Sequence, residues 1–108
     1  MIDNNSSGGI TPKIWGPHAW SFLHSMTFNY PISPTNQEKE YYKVYFETLA
    51  NTLPCEECRK SYSQFIKTGV TTLDDSALQD RSSLTKWLYY IHEAVNKKLG
   101  VNYGVSYE

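Results

Sequence analysis

Cys55 and Cys58 are the only cysteines in the chain, three positions apart in Leu53-Pro54-Cys55-Glu56-Glu57-Cys58. A pair so close in sequence cannot tie distant parts of a fold together as a secreted disulfide framework does, so its chemistry is local. Where a Cys-x-x-Cys turn opens a helix the two sulfurs can meet, and the helix dipole with its unpaired N–H groups stabilises a thiolate. A lowered thiol pKa is therefore expected. With it comes thiol–disulfide exchange, which needs an attacking and a leaving thiolate. Three other readings stay open on these residues alone. A zinc site would add two ligands from His18, His24 and His92, although that order and spacing match no common finger or ribbon. A thioredoxin-like turn wants a strand before the pair, where this chain has a helical stripe and Pro54. Two inert thiols packed as small hydrophobes are the third, against which Glu56 and Glu57 favour an exposed turn.

A second set of residues is matched across two segments. Trp20 and His24 are four apart, as are His92 and Asn96, so each pair shares one helix face. Facing one another, they offer a stacking surface, two imidazoles and an amide, which suits a flat heteroaromatic ligand. Lys97 and Lys98 follow within a turn and could meet phosphate charge. Taken singly, each has an ordinary structural reading: a Trp at helical spacing is core, a lone His is a satisfied structural residue, and terminal lysines complement a helix dipole.

These residues must be positioned by helices. Trp15, Ala19, Phe22, Leu23 and Met26 form one stripe, predicting a helix over about 14–28 with Pro17 near its start, where a missing N–H costs nothing. Pro31 and Pro34 end it. Tyr42, Tyr45, Phe46, Leu49 and Leu53 predict a second helix over about 35–53, with Thr35 and Glu38 as a capping box. Pro54 breaks that stripe. Cys58, Tyr62, Phe65 and Ile66 then mark a shorter third helix ending before Gly69, with both cysteines in its first turn. Residues 70–83 read as a loop, with a short strand or turn at Val70–Leu73. Leu84, Trp87, Leu88, Ile91, Val95 and Leu99 predict a fourth helix that stops at Gly100. Four helices with short connections imply an all-α, up-and-down bundle. Residues 1–12, rich in Asn, Ser and Gly, read as a flexible tail before one domain over 13–108, and a further helix or domain beyond Glu108 is an expectation.

Composition narrows the classes of function. With 40% hydrophobic and 15% aromatic residues the chain has the material for a packed core. A net charge of −1, with Lys and Arg dispersed among acids, gives nucleic acid no basic stripe to bind. No run reaches the roughly 18 apolar residues of a membrane helix, and the first ten residues lack the charged-then-apolar pattern of a secretory signal. A soluble protein is expected.

Together these residues resemble the Erv/ALR flavin-linked sulfhydryl oxidases. The resemblance is carried by Trp15-Gly16-Pro17-His18-Ala19-Trp20-Ser21-Phe22-Leu23-His24, by Leu53-Pro54-Cys55-Glu56-Glu57-Cys58, and by His92-Glu93-Ala94-Val95-Asn96-Lys97-Lys98-Leu99-Gly100. It implies a four-helix bundle with a short fifth helix, FAD at the bundle mouth, and a homodimer. Gly16, Pro17, Trp20 and His24 would line the flavin site from the first helix, with Cys58, His92, Val95, Asn96, Lys98 and Leu99 completing it. Trp20 and His92 would flank the adenine, and the lysines would hold the diphosphate. Cys58 would lie against the isoalloxazine, its pKa lowered by the helix start and the ring. Cys55 would be the outward sulfur that exchanges with protein dithiol substrates, and molecular oxygen would take the electrons to give hydrogen peroxide. No metal is implied. The alternative class is a non-enzymatic helical module that binds zinc or another protein.

Two departures bear on these expectations. Glu93 stands where the family usually has Asn, so no contact is carried to that position. The family's distal shuttle pair and structural disulfide cannot exist in a chain with two cysteines, so the relay must be shorter or continue on another chain or segment. This stripped form is most similar to the small enzymes of large cytoplasmic DNA viruses, which would place it in host cytoplasm or virion.

Overall fold

A computed structural model describes residues 12–99 of the chain. It contains α1 (Pro12–Phe28), α2 (Asn36–Thr52), α3 (Glu56–Phe65), a 3-10 turn (Gly69–Thr71) and α4 (Arg81–Leu99). The tail expected over residues 1–12 lies outside the described residues except for Pro12, which already belongs to α1. Gly100, the expected stop of the fourth helix, also lies outside them, and the short fifth helix is not found among the described residues.

Four helix starts follow from identifiable chemistry. Proline is favoured in the first helical position because its fixed φ fits and its missing N–H is not needed there, so α1 opens at Pro12 rather than Ile14. Pro17 is consequently interior and withholds the N–H that Lys13 would otherwise receive, which corrects its expected place at the helix start. At α2 the capping box forms as expected: Thr35 Oγ1 accepts from Glu38 N–H at 3.1 Å, and Glu38 Oε1 accepts from Thr35 N–H at 2.9 Å. Thr35→Ala is expected to lower stability by about 1 kcal/mol in a urea titration, since it strands one N–H of the first turn. Cys55, in extended conformation, is the N-cap of α3. The last helix begins three residues before the expected Leu84, because Asp80 Oδ1 accepts the N–H of Ser83 at 2.9 Å. A polar first turn has no apolar stripe to betray it.

Between α3 and α4 the chain makes a 3-10 turn rather than a strand. Gly69 sits there at φ 59°, a left-handed conformation costly for any residue with a Cβ. Trp87 Nε1 donates to Thr71 O at 2.7 Å and fastens this turn to α4.

Packing is organised around α4, which contacts α1, α3 and the 3-10 turn, while α2 lies along α3. Leu84, Leu88 and Ile91 are at most 1% exposed and meet Phe46, Trp87, Tyr30 and Tyr62 in one core. Each such side chain contributes about 1.5–3 kcal/mol by leaving water. Buried hydroxyls are paired: Tyr30 donates to Leu78 O at 2.6 Å and Tyr62 to Phe46 O at 2.5 Å. The Tyr62 bond ties α3 to α2 one turn beyond Cys58, so the cysteine turn rests on a fixed platform.

Candidate functional site

A cleft of about 440 Å³ opens between α1, α3, α4 and the end of α2. Trp15, Gly16, Ala19, Trp20 and Leu23 form its α1 wall, Leu49 and Leu53 come from α2, and Leu88, Val95 and Lys98 come from α4. Cys55, Cys58, Ser61, Tyr62 and Phe65 close the remaining side. Both sulfurs therefore face a space lined almost entirely by apolar side chains, of the size and character of a small-molecule site.

Cys55 and Cys58 are free thiols. The N–H of Cys58 donates to Cys55 Sγ at 3.2 Å, so a sulfur does the capping work usually done by oxygen. Burial sets the character of both thiols. Cys55, expected as the outward sulfur, is only 6% exposed, whereas Cys58 is half-buried. The Cys58 thiol, expected to be acidified, is instead pushed up to about 12 by burial, with the hydrogen bond and charge of Cys55 adding to the rise. Its backbone N–H and the Arg59 guanidinium act in the opposite direction and do not compensate. Desolvation in an apolar cleft outweighs a helix end when the thiol has no stronger partner.

Beside this cleft, joined to it through Trp20, α1 and α4 bring together the second predicted set. The Trp20 and His92 rings stack with centroids 3.9 Å apart and planes 9° apart. His24 Nε2 lies 3.1 Å from His92 Nδ1, a hydrogen bond whose direction depends on the tautomers. Burial lowers the pKa of both imidazoles, and His92, which also faces His24, is held at about 4. Both are neutral near pH 7.

That neutrality has a geometric consequence. Whichever ring donates the shared proton, one outer nitrogen is left as a donor and the other as an acceptor. Those outer atoms, His24 Nδ1 and His92 Nε2, are buried without a hydrogen-bond partner, as is Asn96 Oδ1. Unpaired buried polar atoms cost about 1–3 kcal/mol each, so a ligand with both donors and acceptors on a flat ring is what this cluster lacks. The adenine of FAD has that character, and the residues present fit it.

Of the predicted contacts, Gly16, Trp20, Cys58, Val95 and Lys98 line the cleft, and His24, His92 and Asn96 form the adjoining cluster. Pro17 does not line the cleft, and the side chain of Leu99 lies outside the described residues. Sequence reasoning missed Ser61, Tyr62 and Phe65 as cleft residues, although Tyr62 stands four after Cys58 and so shares its helix face. Among the described residues, no three metal-ligating side chains come together and no strand precedes the cysteines.

The chain is similar to a protein of Acanthamoeba polyphaga mimivirus named as a probable FAD-linked sulfhydryl oxidase, with 35% identity over 84% of this chain and 62% of that one. A mitochondrial FAD-linked sulfhydryl oxidase of Saccharomyces cerevisiae is 31% identical over 78% of this chain and 42% of its own length. The chain thus spans about half the length of the curated relatives it matches. Among solved structures, the FAD binding domain of Erv1 from Saccharomyces cerevisiae superposes with a TM-score of 0.72 at 28% identity, covering 85% of this chain and 83% of that one. The yeast Erv1 core gives 0.70 at 30% identity, covering 81% and 70%. Residues 17–106 match the Erv1 / Alr family, and with the bundle, the dithiol cleft and the stacked Trp–His cluster in agreement, the chain belongs to that family.

Proposed function

We propose that this protein is an FAD-dependent thiol oxidase that forms disulfides in protein dithiols and delivers the electrons to molecular oxygen. The observation that carries the reading is the juxtaposition of a free dithiol in an apolar cleft with three buried polar atoms that lack partners beside it. The similarity to proteins named FAD-linked sulfhydryl oxidases supports it. Trp20, His24, His92 and Asn96 would hold the adenine end, Lys98 would meet the diphosphate, and Gly16, Val95 and Cys58 would line the ring site.

The chemistry a bound flavin supplies is acceptance of an electron pair from the dithiol and its transfer to oxygen, giving hydrogen peroxide. The chain's own part is exchange. A substrate thiolate attacks Cys55 Sγ of the oxidised pair; a bond forms to Cys55, the Cys55–Cys58 bond breaks, and the electron pair leaves on Cys58. A second substrate thiol displaces Cys55, releasing the substrate disulfide and the reduced pair. Desolvation of the Cys58 thiol fits its place on the ring side of the cleft. The burial of Cys55 adds a requirement, since an incoming thiolate must enter through the cleft or displace its cover.

A homodimer belongs to the same proposal, supported by exposed apolar side chains on α1 (Ile14, Phe22) and α2 (Tyr41, Val44). A soluble protein of viral origin, in host cytoplasm or virion, fits the similarity to viral relatives. No described helix is long and apolar enough to cross a membrane.

Purified protein is expected to be yellow with flavin absorbance, and to consume oxygen with dithiothreitol in an oxygen electrode. Colourless protein would remove the cofactor from the proposal. Bound flavin without oxygen consumption would remove the oxidase activity.

A further inference from the structure

Arg59 directly follows Cys58, and its Nη1 donates to the carbonyl oxygen of Leu53 at 2.7 Å, back across the whole cysteine turn. The same oxygen accepts the N–H of Cys55 at 2.8 Å. Leu53 is the C-cap of α2, where carbonyls lose their helical donors, and Pro54 has no N–H to offer. Two hydrogen bonds on one atom therefore close the base of the turn. Above it, Arg59 N–H donates to Cys55 O at 3.0 Å and Cys58 N–H to Cys55 Sγ at 3.2 Å. Over this base Cys55 has an extended backbone, and its sulfur caps the helix.

We infer that Arg59 is a positioning residue for thiol exchange at the Cys55–Cys58 pair, its guanidinium closing the turn onto Leu53 and keeping a fixed positive charge at the start of α3. The inference rests on the reading of this pair as redox-active. A guanidinium suits the task because it stays charged at any working pH and presents its donors in a rigid fork. The ionisable groups facing the cleft beside Cys58 are Cys55, Glu57 and Tyr62 from the cysteine turn and α3, and Lys98 from α4; α1 contributes none. Lys60, the next cation along α3, is paired with Glu56 at 3.5 Å. Of the charges acting on Cys58, Arg59 is the one that favours its thiolate against burial.

The test follows anaerobic oxidation of the reduced holoprotein by 2,2′-dithiodipyridine. A protein thiolate attacks the probe, forming a protein–probe disulfide and breaking the probe's S–S bond, and the first thiopyridone leaves with the electron pair. The second cysteine then closes the protein disulfide and releases another. Arg59→Met is expected to slow this about tenfold between pH 7 and 8 and to move the rise in rate to higher pH, because the thiolate loses its cation. Arg59→Lys, which keeps the charge and a donor, is expected to stay within about threefold of the unaltered protein. Circular dichroism and flavin content report the fold, and Arg59→Gln takes the place of the Met variant if that one does not fold. The inference is overturned if the uncharged variant reacts at the unaltered rate across pH 6–9. It is equally overturned if the Lys variant is as slow as the uncharged one, since restoring the charge would then recover nothing. Because the readout is thiol release, failure of the oxidase proposal would show separately, as missing colour or oxygen uptake.

Discussion

Cys58→Ala protein is expected to lose at least ~10³-fold of its oxygen consumption with dithiothreitol while remaining yellow. With one sulfur gone the Cys55–Cys58 disulfide cannot form, so a substrate thiolate has no bond to attack and the exchange sequence cannot begin. The polar cluster that would hold the adenine, His24, His92 and Asn96, does not depend on that sulfur. Removing one sulfur from a half-buried site also leaves the core around Leu88 and Ile91 intact, so melting should change little. Oxygen uptake that survived this substitution would sink the dithiol mechanism. Direction within the pair is read by trapping with a substrate in its disulfide form: in Cys58→Ser the Cys55 thiolate should attack that S–S bond, release one substrate thiolate and accumulate the mixed disulfide at Cys55. Accumulation in Cys55→Ser instead would reverse the two roles, which the burial of Cys55 makes a pointed comparison.

Acid should weaken the fold earlier than its carboxylates would dictate. His92 is 4% exposed and held at about 4 by burial and by His24, against 6.5 in an unfolded chain. Between those values the unfolded state binds a proton that the folded state refuses, so this contribution to stability is full above pH 6.5 and is lost as pH falls toward 4. His24, also lowered by burial, acts with the same sign. Allowing for solvent screening, the loss by pH 5 is roughly 1–2 kcal/mol. Asp80, lowered by the Ser83 N–H, contributes stability that is lost only below the ordinary carboxylate range and does not enter this window. Melting temperatures from pH 7 to 5 measure the effect. His92→Phe, which can still stack on Trp20, should flatten the slope by more than half; an unchanged slope would mean that His92 is already protonated in the fold.

Periodic apolar residues made the helices legible because burial against one neighbour imposes a 3.6-residue repeat wherever it acts. Errors fell at ends that no apolar stripe marks. Pro12 and Asp80 start α1 and α4 through a fixed φ and a carboxylate cap, and neither signature extends the stripe. Thr35 and Glu38 were readable because a capping box is local by nature. The cleft was partly legible: spacing of four placed Trp20 with His24 and His92 with Asn96, and the shared helix face of Tyr62 with Cys58 was there to be read.

By itself, then, the sequence determined the helical class, the closeness of the two sulfurs and the matched faces of α1 and α4, because each depends on spacing along one element. Tertiary structure decided what those residues experience. It stacked Trp20 on His92, brought the imidazoles to 3.1 Å, buried Cys55 and raised the Cys58 thiol where a bare helix start would have lowered it. The physical reason is that solvation and charge environment are set by neighbours distant in sequence, and α1, α3 and α4 meet around this cleft only once the chain has folded.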